Sequence, residues 1–239
     1  VDTHSDHVER ELGAALSALQ PDGVILTPPH SENRLITQLL AERRIPFARI
    51  GSNAPGPGIP LTMGDEGAAH LAASRLIELG HRRIGMIAGP SQYSLSGWRV
   101  DGWSRALAEA GLTHDGLLEV GDFGYESGAR AATTLLDRNP DLTAIIASND
   151  QMALAALEVA RDRGLRVPDD LSLISFDNTP IVRFSQPPLT AVDQPIAETV
   201  SRAVEQLIAR GPDGDDDAVI EVAAGLVERA STAPPPVRA

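Results

Sequence analysis

Short apolar runs alternate with longer segments of helical spacing along the 239-residue chain. The runs "GVILT" (23–27), "PFARI" (46–50), "RIGMIAG" (83–89), "LLEV" (117–120), "TAIIAS" (143–148) and "LSLISF" (171–176) are rich in β-branched and apolar residues and read as strands. Between them the apolar positions recur with helical period. In "EGAAHLAASRLIELG" the residues Ala69, Ala72, Leu76 and Leu79 share one face and Gly80 ends the helix. Near the N-terminus Val8, Leu12, Ala15, Leu16 and Leu19 share another. Strand spacings of about 25 to 35 residues are those of βα units with right-handed crossovers, so the expected fold class is α/β with parallel sheets. After "PPLTAVDQP" (187–195) the pattern gives a helix from Ile196 to Ala209, an acidic loop "GPDGDDDA", and two strand-like pieces, "VIEV" and "GLVE". The proline-rich "STAPPPVRA" reads as a disordered tail.

Composition removes several classes of function. A net charge of −13 repels a phosphate backbone, so the chain as given is not expected to bind nucleic acid by itself. Cysteine is absent, which excludes disulfides, thiolate nucleophiles and zinc–thiolate sites, and an unbridged chain fits the cytoplasm. All 20 basic residues are arginine, so the phosphate-loop lysine and Schiff-base lysines are excluded too. No apolar run approaches the ~18 residues of a membrane span. The opening "VDTHSDHVERELGAALSAL" has no basic region followed by an apolar core, hence no signal peptide, and it enters a helix at once, which suggests upstream sequence. No GxGxxG, GxSxG or HExxH occurs, and no cofactor is expected.

In an open α/β sheet ligands lie outside the carboxyl ends of the strands. Three neighbouring strand ends carry polar or aromatic residues there: "GDFGYESG" (121–128), "ASNDQ" (147–151) and "SFDNTP" (175–180). Phe123 with Asn149, Asp150, Asp177 and Asn178 supplies a stacking face, amides and carboxylates, which is the chemistry a sugar needs. Each has a structural alternative: Asp150 as a helix cap, Asp177 and Asn178 as a turn before Pro180, and Phe123 as core. His4 and His7 near Asp2 and Asp6 have near-metal spacing at the chain end, but no metal site is expected. The acidic loop 213–217 lacks the pattern of a calcium loop and reads as a solvated turn. His81 follows Gly80 and is expected to satisfy the last carbonyls of the preceding helix.

The sequence resembles the effector-binding and dimerisation domain of the LacI/GalR family of bacterial transcription regulators. The matching segments are "PDGVILTP" (21–28), "IELGHRRIGMIAGP" (77–90), "WRVDGWSRALAEAG" (98–111), "GDFGYESGARAATTLL" (121–136), "ASNDQMALAAL" (147–157), "GLRVPDDLSLISFDNTP" (164–180) and "PPLTAVDQP" (187–195). The resemblance implies two Rossmann-like lobes of the type I periplasmic-binding-protein kind with the effector between them. The lobes would be residues 1–79 with 196–222, and 80–195 with 223–231, followed by a disordered tail, 232–239.

It also implies site residues: Arg99 of "RxxGW", Phe123 after "GD", Asn149 of "ND" and the first aspartate of "FDN", Asp177. Glu66 and Gln194 match cleft positions of some members. Where many members carry an Asp-Asn pair, this chain has Met63 and Gly64. The family's helix-turn-helix, hinge helix, first strand, first helix and second strand would precede Val1, leaving the first lobe incomplete at its N-terminus. The expected function is therefore effector sensing, with a carbohydrate as effector and operator DNA contacted only by the preceding modules. The protein would be a cytoplasmic homodimer, with Met152, Ala153, Leu154 and Leu157 at the dimer surface or in the core. A periplasmic-type sugar-binding protein and a sugar-modifying enzyme with Asp150 or Asp177 as general base are the alternatives, but no paired nucleophile supports an enzyme.

Overall fold

The computed structural model describes residues 8–210 and 218–237. The histidines and aspartates of the first seven residues and the acidic loop 213–217 lie outside them. In chain order the elements are α1 (Val8–Leu19), β1 (Val24–Leu26), α2 (Arg34–Glu42), β2 (Phe47–Ile50), β3 (Ile59–Thr62), α3 (Asp65–Glu78), β4 (Ile84–Ala88), α4 (Ser94–Glu109) and β5 (Leu118–Val120). There follow α5 (Tyr125–Arg138), β6 (Ala144–Ala147), α6 (Asp150–Asp162), β7 (Ser172–Asp177), β8 (Thr190–Asp193), α7 (Ile196–Arg210), β9 (Ile220–Glu221) and β10 (Gly225–Val227). Among the described residues no helix is long and apolar enough to cross a membrane.

The six strands expected from the pattern form, as do the two short pieces near the C-terminus. Two strands, β3 and β8, were not anticipated. Pro60 lies inside β3, and Pro188 and Pro195 stand on either side of β8, so both stretches read as turn or loop in the sequence.

The chain divides into two compact units, Val1–Met63 with Pro195–Val222, and Gly64–Gln194 with Ala223–Ala239. The smaller holds a parallel sheet in the order β1-β2-β3-β9. Leu26, Ile36, Leu39, Leu40 and Phe47 form one core cluster there, and Ala48, Ile59, Leu61 and Ala203 another. Leu19, expected on the buried face of α1, is exposed.

The larger unit holds a six-stranded sheet in the order β10-β8-β7-β6-β4-β5, parallel except for β10. From β4 the chain crosses to β5 on one side, and from β5 it returns past β4 to β6 and β7 on the other. Right-handed crossovers therefore put α4 on one face and α5 and α6 on the opposite one. The reversal falls between β4 and β6, and this is where doubly wound sheets open a crevice at their carboxyl ends.

The boundary between units differs from the expected residue 79. Helix α3 belongs to the larger unit, where Ala68, Ala69, Ala72, Ala73 and Leu76 pack with Ile84, Trp103 and Leu107. An alanine face lets two helices approach closely, and α3 meets α4 where Gly102 leaves no side chain. A Cβ on Gly102 would stand 2.0 Å from the Glu66 carbonyl oxygen.

The tail is also placed differently from expectation. Ala233 N donates to Ser172 Oγ (3.1 Å), Ser231 Oγ donates to the Leu173 carbonyl (2.6 Å), and Thr190 N donates to Ser231 Oγ (2.8 Å). His81, fully buried, does not cap α3: its Nδ1 lies 2.9 Å from Thr143 Oγ1 and its Nε2 2.8 Å from the Ala233 carbonyl. Burial holds the imidazole below its ordinary pKa, against a smaller opposing effect of the Ala233 carbonyl. The end of α3 is closed by the backbone instead, with Gly80 N bonded to Ile77 O and His81 N to Leu76 O.

The helix contact gives a paired test. Gly102→Ala must push α4 off the Glu66 carbonyl and is expected to cost about 1–3 kcal/mol, as overpacking does. Gly97→Ala, on the same helix with nothing within 4 Å of the new methyl, is expected to gain up to about 1 kcal/mol from helix propensity. Chemical denaturation of both variants, at matched m-values, checks the two signs.

Candidate functional site

The carboxyl ends of β4, β5, β6, β7 and β8 bring their following loops to one edge of the larger unit. Below that edge lies Arg99, on α4 and 3% exposed. Its Nε and Nη2 donate to Asp65 Oδ1 at 2.8 and 2.7 Å, its Nη1 donates to the Ser148 carbonyl, and its Cζ sits 4.4 Å from the centroid of the Phe176 ring. A buried guanidinium is tolerable only with such partners: a carboxylate at contact, a carbonyl and an aromatic face. Arg99 thereby commits three of its five N–H groups inside the protein, leaving two for anything above it.

Asp65 opens α3 and is 2% exposed, with Gln194 Nε2 3.4 Å from its Oδ1. Its Oδ2 is buried with no hydrogen-bond partner, as are Asp150 Oδ1, Ser148 Oγ and Ser96 Oγ. Buried polar atoms in native proteins are normally satisfied, so these unpartnered groups make the rim a candidate for receiving a polar ligand. Asp150, 4% exposed, accepts from both Thr179 N and Thr179 Oγ1 at 2.6 Å through Oδ2, tying the start of α6 to the loop after β7.

Asp177 ends β7 with φ 93°. Burial pushes its carboxyl up to about 6; the Arg99 guanidinium opposes the rise, and the carboxylates of Asp150 and Asp65 add to it. Asp177 thus lies within electrostatic reach of one guanidinium and two other carboxyl groups. Among the described residues no group of His, Cys, Asp or Glu is arranged to hold a metal.

The aromatic part lies over β4. Phe123, at φ 67°, rests its ring against Gly89, where a Cβ would meet Phe123 Cζ at 2.2 Å. Tyr93 meets that ring edge-on, with centroids 5.5 Å apart and planes at 79°. Asn149 caps α6: its Oδ1 accepts from Met152 N (2.9 Å) while its Nδ2 donates to the Phe123 carbonyl (2.8 Å). Asn149 therefore joins the aromatic platform to the end of β6.

Of the residues singled out in the sequence, Arg99 and Asp177 lie within electrostatic reach of each other, and Asn149 and Phe123 are linked by a hydrogen bond. Gln194 approaches the cluster through Asp65. Glu66 does not: its Oε1 pairs with Arg105 on the half-exposed surface of α3 and α4. Its neighbour Asp65 takes the inward position, one step of about 100° around the helix. Asp65, Phe176 and Tyr93 escaped sequence reading, since an aspartate in a first helical turn is ordinary compensation of the helix dipole. The cap assignment is corrected as well, because Asn149 is the cap and Asp150 the clamp on Thr179.

The chain matches the family pattern of the Periplasmic binding protein-like domain over residues 73–232. It is 40% identical over 174 residues to the HTH-type transcriptional regulator CelR of Thermobifida fusca, covering 71% of this chain and 51% of that protein. It is 34% identical over 227 residues to the HTH-type transcriptional repressor PurR of Proteus mirabilis, covering 93% of this chain and 67% of that one. Among solved structures, a transcriptional regulator CelR–cellobiose complex superposes with a TM-score of 0.86 at 34% identity, covering 95% of this chain and 71% of that one. The chain spans about half the length of the CelR regulator it matches. These relatives are regulators of transcription rather than enzymes. With the α/β architecture of parallel sheets in two units, they establish that the chain belongs to the periplasmic-binding-protein-like domain family and, within it, to the effector domains of LacI-family transcription regulators.

Proposed function

We propose that this domain senses a small carbohydrate at the carboxyl-terminal rim of its larger unit, and that the ligand controls operator binding by a cytoplasmic regulator. The carrying observation is the rim itself: a buried Arg99–Asp65 pair, the Asp177 carboxyl beside it, and an aromatic platform of Phe123 and Tyr93 fixed by Asn149. Sugar rings present C–H faces for an aromatic and hydroxyls for paired donors and acceptors. A similar solved structure, a CelR–cellobiose complex, supports this class of ligand. Each neutral hydroxyl bond adds ~1 kcal/mol net, whereas a sugar of the wrong stereochemistry strands buried groups at about 1–3 kcal/mol each, so the rim supplies selectivity more than affinity.

Operator contact belongs, in this proposal, to a DNA-binding module outside the chain, whose acidic balance is unsuited to a phosphate backbone. The ligand regulates only if it binds the operator-competent and operator-free states unequally, since equal affinity shifts no population. We further infer a homodimer formed through the surface of α6. Met152 and Ala153 face the core, but Leu154 and Leu157 border an open groove of about 500 Å³ together with Tyr125, Val167 and Pro187.

A hydroxyl donating to Asp177 favours the ionised carboxylate. Cellobiose affinity is therefore expected to rise with pH, most steeply near 6, and to level off above about 7. Asp177→Asn should weaken binding about tenfold or more at neutral pH and flatten this profile, and titration calorimetry at pH 5, 6 and 7.5 reads both effects. Unchanged affinity in the variant sinks the site. For the dimer, Leu157→Arg is expected to yield monomers in sedimentation equilibrium; a mass unaffected by the charge removes α6 from the interface.

A further inference from the structure

The turn that ends β7 is unusual in its backbone. Asp177 and Asn178 have φ of 93° and 59°, two successive residues with a Cβ in a region that sterics disfavour. Such a conformation persists only when its surroundings over-determine it. On one side the surroundings are Asp150, whose carboxylate takes both donors of Thr179.

On the other side Asn178 lies between a cation and an anion. Arg229 Nη2 donates to Asn178 Oδ1 at 2.6 Å, and Asn178 Nδ2 donates to Asp193 Oδ1 at 2.7 Å. The amide dipole is thus aligned by charge at both ends, which only Asn or Gln can accept. Arg229 is itself fixed, its backbone N donating to Thr190 Oγ1 (2.9 Å) and its Nη1 to the Leu189 carbonyl (2.6 Å). Immediately beyond it Ser231, Thr232 and Ala233 are laced to Leu173, Thr190 and Ser172. The guanidinium therefore projects from an anchored segment.

We infer that Arg229 is a positioning residue for the ligand site: by gripping Asn178 against Asp193 it holds the left-handed Asp177–Asn178 turn and keeps the Asp177 carboxyl beside Arg99, Asp150 and Asp65. A segment remote in sequence, entered after the chain's last return to the larger unit, thereby sets the geometry of the rim. The planar fork of arginine is needed because one guanidinium serves both the Leu189 carbonyl and the Asn178 amide; a lysine reaches them only as a point charge. The binding consequence rests on the carbohydrate reading above, whereas the effect on the Asp177 carboxyl does not.

The test uses the 239-residue chain, with carboxyl 13C NMR following the titration of Asp177 and calorimetry following cellobiose. In Arg229→Met the turn relaxes, the Asp177 carboxyl gains solvent, and its midpoint falls from about 6 toward the ordinary carboxylate value of about 3.9, with cellobiose binding weakened about tenfold. Arg229→Lys should recover part of both effects. Asn178→Ala removes the amide that is gripped and, unlike glycine, does not favour the positive φ, so it should reproduce the fall. Ser172→Ala, which loosens the same segment at Ala233, should lower the melting temperature and leave the Asp177 midpoint in place. A midpoint that stays put or rises in Arg229→Met and Asn178→Ala overturns the proposal; a rise is what loss of a nearby positive charge alone would give. Should the unaltered chain bind no cellobiose, the carbohydrate reading fails while the titration still decides the role of Arg229.

Discussion

Burial of the Arg99 guanidinium is the constraint on which the rest of the site depends. Removing a charge from water costs several kcal/mol, and truncating one partner of a buried pair costs about 3–5 kcal/mol. Asp65, the Ser148 carbonyl and the Phe176 face offset that cost together. Because Asp65 and Arg99 come from α3 and α4, their contact requires those helices to touch, which Gly102 allows. Because Arg99 also holds the Ser148 carbonyl, it fixes the end of β6 from which Asn149 caps α6 and reaches Phe123. Helix packing, strand ends and the aromatic platform are in this way consequences of one charge.

A second theme is backbone strain held by side-chain clamps. Phe123, Asp177 and Asn178 are residues with a Cβ at positive φ, and all three lie at the carboxyl ends of β5 and β7. Each is restrained: Phe123 by Asn149 and Gly89, Asp177 and Asn178 by Asp150, Asp193 and Arg229. A rim built this way is preorganised, so a ligand need not order it on arrival. Burial, with a smaller contribution from Asp150 and Asp65 and against the pull of Arg99, raises the Asp177 carboxyl to about 6, so a ligand bonded to it would couple occupancy to protonation.

The parallel architecture was legible because core strands such as Ile84–Ala88 and Ala144–Ala147 are continuous apolar runs buried throughout. The strands Ile59–Thr62 and Thr190–Asp193 were not, the first interrupted by Pro60 and the second set between Pro188 and Pro195. The placement of α3 was illegible for another reason: an alanine face suits either core, and helical spacing carries no information about which partner it meets. At the site, the motifs around Arg99, Phe123, Asn149 and Asp177 drew attention to residues that the fold gathers at one rim. The exchange of roles between Asn149 and Asp150 turned on a single residue in the helix start, since both are good caps. Asp65 was overlooked in favour of Glu66 because adjacent positions differ only in the direction they face around a helix.

In the proposed function a carbohydrate is received at the carboxyl ends of β4 to β8 above Arg99. The most direct measurement is an amide NMR map of the chain titrated with cellobiose. Saturable shifts concentrated at Gly89, Phe123, Asn149, Asp177 and the Arg99 side-chain Nε are the predicted result. Shifts confined to another surface, such as the groove lined by Leu154, Val167 and Pro187, with the rim amides unmoved, would contradict it.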